Sequence, residues 1–301
     1  MTIGIAGAGG IGSYYAGLLS RAGNDVHLLA RGNHLAAVAA RGLEVRMPDE
    51  SFVATPDVSA DPAVLVGCDY VLVAVKGYSL GEIAPALAAA ANSGAVIVPL
   101  LNGVDVAERL AALGVPITSI VGGLVAASLV RSAPGVVERR SPFDRAVMGE
   151  LDGAATLRTA RIVDLLAAAG VSARASDDIA LDLWRKFAFI VPMTVVCGVT
   201  RKPVGEALAK ESGREMVVGS LREIVQVSRR GPTSLDDADE ERVRADLFAL
   251  PAGMRPSFLQ DLERGGPTEV DLLAGTVCRL GRERGVPTPI HDGAVAAFQS
   301  V

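Results

Sequence analysis

The opening of this chain constrains its fold more than any other stretch. Thr2-Ile3-Gly4-Ile5-Ala6 is the short apolar run of a buried strand. Gly7-Ala8-Gly9-Gly10-Ile11-Gly12 follows at once, then a helix-like run from Ser13 to Arg21, a stop at Gly23 and a second strand-like run from Asp25 to Ala30. A lone G-x-G-x-x-G pattern says little. Set between a strand and a helix inside a βαβ unit, it predicts a turn that binds a dinucleotide. Gly7 permits the tight turn, Gly9 lets backbone approach a pyrophosphate, and Gly12 lets helix and strand pack closely. Gly10 and Ile11 complete the cofactor-binding turn, and the N-terminus of the helix that follows offers N–H groups and a dipole that favour phosphate.

The end of the second strand selects between cofactors. A chain that binds NAD usually carries Asp or Glu there for the ribose 2′-hydroxyl, whereas the 2′-phosphate of NADP needs a cation. Here Ala30 is followed by Arg31-Gly32-Asn33, with no carboxylate. Arg31 can grip a phosphate bidentately, so NADP(H) is the expected cofactor. The alternative is an ordinary solvated arginine.

Downstream, Asp69–Val75 and Ala95–Leu100 are continuous apolar runs suited to buried parallel strands, and helix patterns separate them. Asp57–Gly67 reads as loop or irregular helix, and a further strand is expected around Ile117–Val121. Short strands at Val125–Val130, Val136–Arg140 and Ala146–Gly149 read as antiparallel. A helix over Leu157–Ala169 and a strand over Val171–Ala175 end the strand-bearing part. Beyond Ser176 helix patterns dominate, at Asp178–Thr200, Val204–Arg229, Asp236–Leu247 and Thr268–Arg284. The expected class is therefore α/β: an N-terminal Rossmann-type parallel-sheet domain over 1–176 and a C-terminal all-α domain over 177–301.

Composition narrows the function. The net charge of −5 offers no basic face for a nucleic acid. Three cysteines, Cys68, Cys197 and Cys278, lack C-x-x-C spacing, so neither a disulfide framework nor a metal site is expected. A reduced, cytoplasmic setting fits, since no signal peptide precedes the first strand. The apolar run Phe187–Val199 is too short to span a bilayer and contains Pro192. His27, His34 and His291 are scattered and read as ordinary. The helical domain could supply a homodimer face.

Ligands of open parallel sheets sit beyond the carboxyl ends of the strands, where Lys76 and Asn102 fall. Lys76 could instead be a solvated loop lysine, and Asn102-Gly103 a turn needing positive φ. Lys186 stands in an apolar helix, Trp184-Arg185-Lys186-Phe187-Ala188-Phe189. If desolvated, its lowered pKa makes it a usable proton donor; otherwise it snorkels to solvent. Thr268 and Asp271 resemble a capping box around Glu269, a purely structural alternative.

Taken together, GAGGIG, LLARG, VKGYS, LNGV, WRKFA, and PSFLQD with GGPTEVD resemble the ketopantoate reductase (2-dehydropantoate 2-reductase) family along essentially the whole chain. The resemblance implies NADPH and a 2-oxo acid held between the two domains. It implies Lys186 and Glu269 as catalytic groups, with Glu269 also touching the cofactor side. Ser257 would bind the substrate carboxylate, and Asn102 would orient lysine and nicotinamide. Arg31 and Lys76 would be the NADP-contacting cations. One departure stands out. The family commonly carries asparagines four and eight residues after the lysine, where this chain has Ile190 and Thr194, and another where it has Met254. Ketopantoate reduction, in pantothenate biosynthesis, is the nominal activity. Branched or aromatic 2-oxo acids, or an NADP-binding sensor without turnover, are the alternatives.

Overall fold

The glycine turn joins a strand to a helix as expected. β1 (Thr2–Ala6), α1 (Gly10–Arg21) and β2 (Asp25–Leu29) form that unit. They are followed by α2 (Gly32–Arg41), β3 (Leu43–Arg46), β4 (Ser51–Ala54) and β5 (Asp57–Ser59). β6 (Tyr70–Val73), α3 (Leu80–Asn92), β7 (Val96–Pro99) and α4 (Val106–Ala112) continue the alternation. Then come β8 (Gly122–Ala126), β9 (Leu129–Ala133), β10 (Val136–Arg139), β11 (Arg145–Gly149), α5 (Leu157–Ala168) and β12 (Ser172–Ala175). The computed structural model describes residues 1–299 and divides into two compact units. The first is Met1–Leu101 with Asp105–Ile179; the second is Asn102–Val104 with the chain from Ala180 onward.

In the first unit β5-β2-β1-β6-β7 form a five-stranded sheet whose neighbours are all parallel. The apolar runs explain the pairing: all four residues of β6 are buried, as a strand covered on both faces requires. Ile3, Ile5, Leu28 and Leu72 meet Tyr14, Leu18 and Leu19 of α1 in one core. β4-β3-β10-β9 and β12-β11-β8 form two smaller sheets. Their pairing is mixed, because β3–β10 and β11–β12 run parallel while β9–β10 and β8–β11 run antiparallel.

Three local expectations fail here. Asp57–Ser59 is a strand, since an edge strand needs only one paired side and can be short and polar. Val125–Val130 is divided between β8 and β9. Ile117–Ser119 is a 3-10 turn closed by Ser119 N–H on the Pro116 carbonyl; only Ile120 bridges to Ile97.

His34 is 3% exposed on α2. Its Nδ1 accepts from Gly135 N–H at 3.0 Å, so Nε2 carries the hydrogen that meets Ser13 Oγ at 3.1 Å. Burial pushes its pKa down to about 4, so the ring is a neutral tie between α1 and the β9–β10 turn.

The second unit is helical: α6 (Ile179–Thr200), α7 (Val204–Leu208), α8 (Glu211–Arg229), α9 (Asp237–Phe248), α10 (Ser257–Glu263), α11 (Ala274–Arg284) and α12 (Pro289–Gln299). Trp184, Phe187 and Val191 of α6 pack with Leu221 and Ile224 of α8 and Val277 of α11. The single helix expected over Val204–Arg229 breaks at Lys210, which is extended. Arg214 takes up the freed Leu208 carbonyl at 2.6 Å. The helix expected from Thr268 starts at Ala274, because Leu273 has non-helical backbone. The capping box at Thr268–Asp271 therefore does not cap α11. Among the described residues, no helix is long and apolar enough to cross a membrane.

Candidate active site

The first unit gathers one set of groups at the carboxyl ends of three adjacent strands. β1 lies between β2 and β6, all parallel, so the glycine turn, Arg31 and Lys76 leave the sheet along the same edge. Gly7 has φ +109°, and a Cβ there would meet Val75 N at 2.9 Å. A Cβ on Gly12 would lie 1.8 Å from the Gly7 carbonyl oxygen, so helix and turn touch through this glycine. At Gly9 the nearest atom to a Cβ is 3.9 Å away. Space is thus open where a pyrophosphate would approach. No side chain caps α1 and no acid sits in its first turn, so its N–H groups stay available to an anion. Ile11 is half-buried against the core. These features fit a dinucleotide.

Gly10 has a task that the motif does not assign. Its Cβ would lie 2.3 Å from the Leu129 carbonyl oxygen, so β9 packs directly on the start of α1. The same strand brings Arg131, whose Nη1 donates to the Ala8 carbonyl at 3.4 Å. Nothing near the glycine motif in sequence signals either contact. Arg31 stands at the N-cap position of α2, exposed, with Nη1 2.6 Å from Oε1 of Glu82. Lys76 is half-buried before the 3-10 turn Gly77–Ser79. Asp25 and His27 of β2 and Asp57 of β5, which pairs with His27, bring possible ligand atoms within 4.8 Å of one another. His27 already pairs there with Asp25 at 3.3 Å.

The second unit gathers the other set. Lys186, Ile190 and Thr194 recur at fourfold spacing on α6 and so share one helical face. Lys186 is half-buried, and burial pushes its pKa down to about 8, against the pull of the Glu269 carboxylate, which raises it. Glu269 is 8% exposed in the turn before α11. The structure therefore brings Lys186 and Glu269 into electrostatic contact, in a setting that desolvates the lysine. Asn102 is half-buried, and neither it nor Gly103 has positive φ, so the Asn-Gly turn reading fails. Thr194 is buried, and its hydroxyl donates to the Ile190 carbonyl at 3.0 Å. Ser257 opens α10 and is exposed; Met254 is exposed just before it.

Two family models match this chain in succession: "Ketopantoate reductase PanE/ApbA" over residues 3–153 and its C-terminal counterpart over residues 178–301. The chain belongs to the ketopantoate reductase family. An archaeal member, the 2-dehydropantoate 2-reductase of Archaeoglobus fulgidus, is 30% identical over 291 residues, covering 95% of this chain and 93% of its own. The uncharacterized oxidoreductase YkpB of Bacillus subtilis is 29% identical over 296 residues, covering 98% and 97%. The crystal structure of a PanE/ApbA family ketopantoate reductase from Ralstonia eutropha superposes with a TM-score of 0.90 at 28% identity, covering 99% and 97%. As a ketopantoate reductase family member, this chain is an enzyme, an oxidoreductase acting on a CH–OH group.

Proposed function

We propose that this enzyme uses NADPH to reduce a 2-oxo acid to the 2-hydroxy acid. The observation that carries the reading is Lys186, a lysine held near pKa 8 beside a buried carboxylate. Reduction of a ketone places negative charge on its oxygen. Lys186 stabilises that charge and then gives up a proton. Glu269 keeps the lysine protonated against its burial and contacts the new hydroxyl. Ser257 donates to the substrate carboxylate, and Asn102 orients the lysine. NADPH, when bound, supplies the hydride. Gly7–Gly12 would hold its pyrophosphate and Arg31 its 2′-phosphate, with Lys76 a second cation against the cofactor. In this division of labour residues 1–176 bind cofactor and residues 177–301 carry substrate and catalysis, with Asn102 lent to the second set. The free, buried thiols of Cys68, Cys197 and Cys278 support a reducing, cytoplasmic setting.

Ketopantoate, and with it pantothenate biosynthesis, is the nominal substrate assignment. A second reading has a specific observation behind it. Ile190 has no polar group, and the Thr194 hydroxyl already donates to its own helix. This face of α6 therefore offers little to a substrate hydroxyl, and a pocket without such partners discriminates poorly for it. Branched or aromatic 2-oxo acids become the alternative substrates. The test follows NADPH absorbance with ketopantoate beside branched and aromatic 2-oxo acids. Highest kcat/KM with ketopantoate supports the nominal substrate, and a winning apolar acid supports the second. Tight NADPH binding with no acid reduced overturns both.

A further inference from the structure

Arg31 is already engaged. Its guanidinium pairs with Glu82 at 2.6 Å, and the two side chains are 61% and 58% exposed. Glu82 is the acid in the first turn of α3, the helix that follows β6. The ordinary place for a carboxylate in a site selective for NADH is the end of β2. There this chain has Ala30 and Arg31. A carboxylate nevertheless reaches the same spot, delivered by the neighbouring crossover two strand positions away, with β1 between.

We propose that Glu82 is a specificity-determining residue that weakens the preference for NADPH. The proposal rests on the reading of Arg31 as the 2′-phosphate cation. A 2′-phosphate must take the guanidinium from Glu82 before it can be held bidentately. An exposed ion pair exchanges readily, so the competition is modest. Once displaced, the carboxylate stays close to a phosphate dianion and repels it. The cofactor without the phosphate suffers neither penalty. Its ribose 2′-hydroxyl can instead donate to the Glu82 carboxylate, as it does to an acid at the end of β2 in enzymes that use NAD. Arg31 alone would make the site strongly selective for NADPH; Arg31 with Glu82 makes it usable by both cofactors.

The test measures Kd for NADPH and NADH by fluorescence titration on the full-length enzyme, for wild type, E82Q and R31A. Both positions are exposed, and thermal melting confirms that each variant is folded. E82Q is expected to lower the NADPH Kd by about twofold to fivefold, with no gain for NADH. The ratio of NADH to NADPH Kd then rises. R31A is expected to bring that ratio towards one. If R31A does so while E82Q leaves the ratio unchanged or lowers it, the role of Glu82 is overturned and Arg31 keeps its assignment. If R31A leaves the wild-type ratio intact, the reading of Arg31 fails and the proposal falls with it.

Discussion

Glu269 and Lys186 act on each other through charge: burial drives the lysine pKa from 10.5 down to about 8, and the carboxylate limits the fall. The opposition has a direct consequence for E269Q. Removing the negative charge leaves desolvation unopposed, so the lysine pKa drops further. Less of the ammonium form is then present at neutral pH. The alkaline limb of the kcat/KM profile for 2-oxo acid reduction should move to lower pH. An unmoved limb would mean that another group governs it.

As the proposed proton donor, Lys186 sets the direction of the pH dependence. The reductive reaction needs the protonated lysine, so its rate should fall as pH rises through about 8. Oxidation of the 2-hydroxy acid needs the neutral amine and should rise through the same pH. In K186A both limbs should vanish and kcat should fall by roughly 10²–10⁴, with the NADPH Kd retained. A variant with wild-type kcat would take Lys186 out of the mechanism.

Two glycines of the turn should separate folding from binding. G12A forces a Cβ to 1.8 Å from the Gly7 carbonyl, a clash with backbone that side-chain motion cannot relieve. It should destabilise the protein by about 3 kcal/mol or more and abolish cofactor binding. G9A places its methyl in open space at φ −77°. Its melting temperature should stay at or slightly above wild type. NADPH binding should nonetheless weaken by about tenfold or more, because the pyrophosphate needs the room. Unimpaired binding in G9A would remove the phosphate from this turn.

The contrast between Gly9, Gly10 and Gly12 also marks what a sequence can reveal. Gly7 and Gly12 were legible because their constraint is local, a turn and the helix it starts. Lys186 was legible because a lysine in an apolar helix is conspicuous. The contact of Gly10 with Leu129, the reach of Arg131 to Ala8 and the pairing of Arg31 with Glu82 were not. Each depends on elements far apart in sequence that only sheet order brings together. Misplaced helix boundaries have a related cause. Periodicity over Thr268–Arg284 and Val204–Arg229 is helical throughout, while the residues up to Leu273 in the first and Lys210 in the second adopt backbone that no pattern of hydrophobicity reports. That Glu269 and Lys186 belong to one site came from resemblance, since nothing local links a turn to a helix more than eighty residues before it.

Ile190 offers a direct test of substrate choice. I190N puts a donor and an acceptor on the face of α6 that carries Lys186. If this face reads the substrate, kcat/KM for ketopantoate should rise relative to an apolar 2-oxo acid by roughly tenfold, the scale of one good hydrogen bond. A fall for both substrates with no change in their ratio would place Ile190 in packing alone.

The second unit depends on a polar anchor that takes no part in the proposed chemistry. Glu223 on α8 accepts Ile290 N–H at 2.8 Å and His291 N–H at 3.2 Å, and so caps the start of α12 from another helix. Its Oε2 also lies 2.5 Å from His291 Nδ1, while His291 Nε2 meets Ser220 Oγ at 3.0 Å. The resemblance to a serine–histidine–acid array is only geometric, because Ser220 and His291 are 0% exposed and no substrate can reach them. E223A would leave two helix N–H groups and an imidazole nitrogen buried without an acceptor. Leaving a buried donor without its acceptor destabilises by about 1–3 kcal/mol, read as a lower denaturant midpoint. E223Q keeps one acceptor oxygen and should fall between E223A and wild type. NADPH binding should survive in whatever fraction remains folded, because the glycine turn belongs to the first unit. A midpoint unchanged in E223A would show that water replaces the cap and that α12 is held by its apolar face alone.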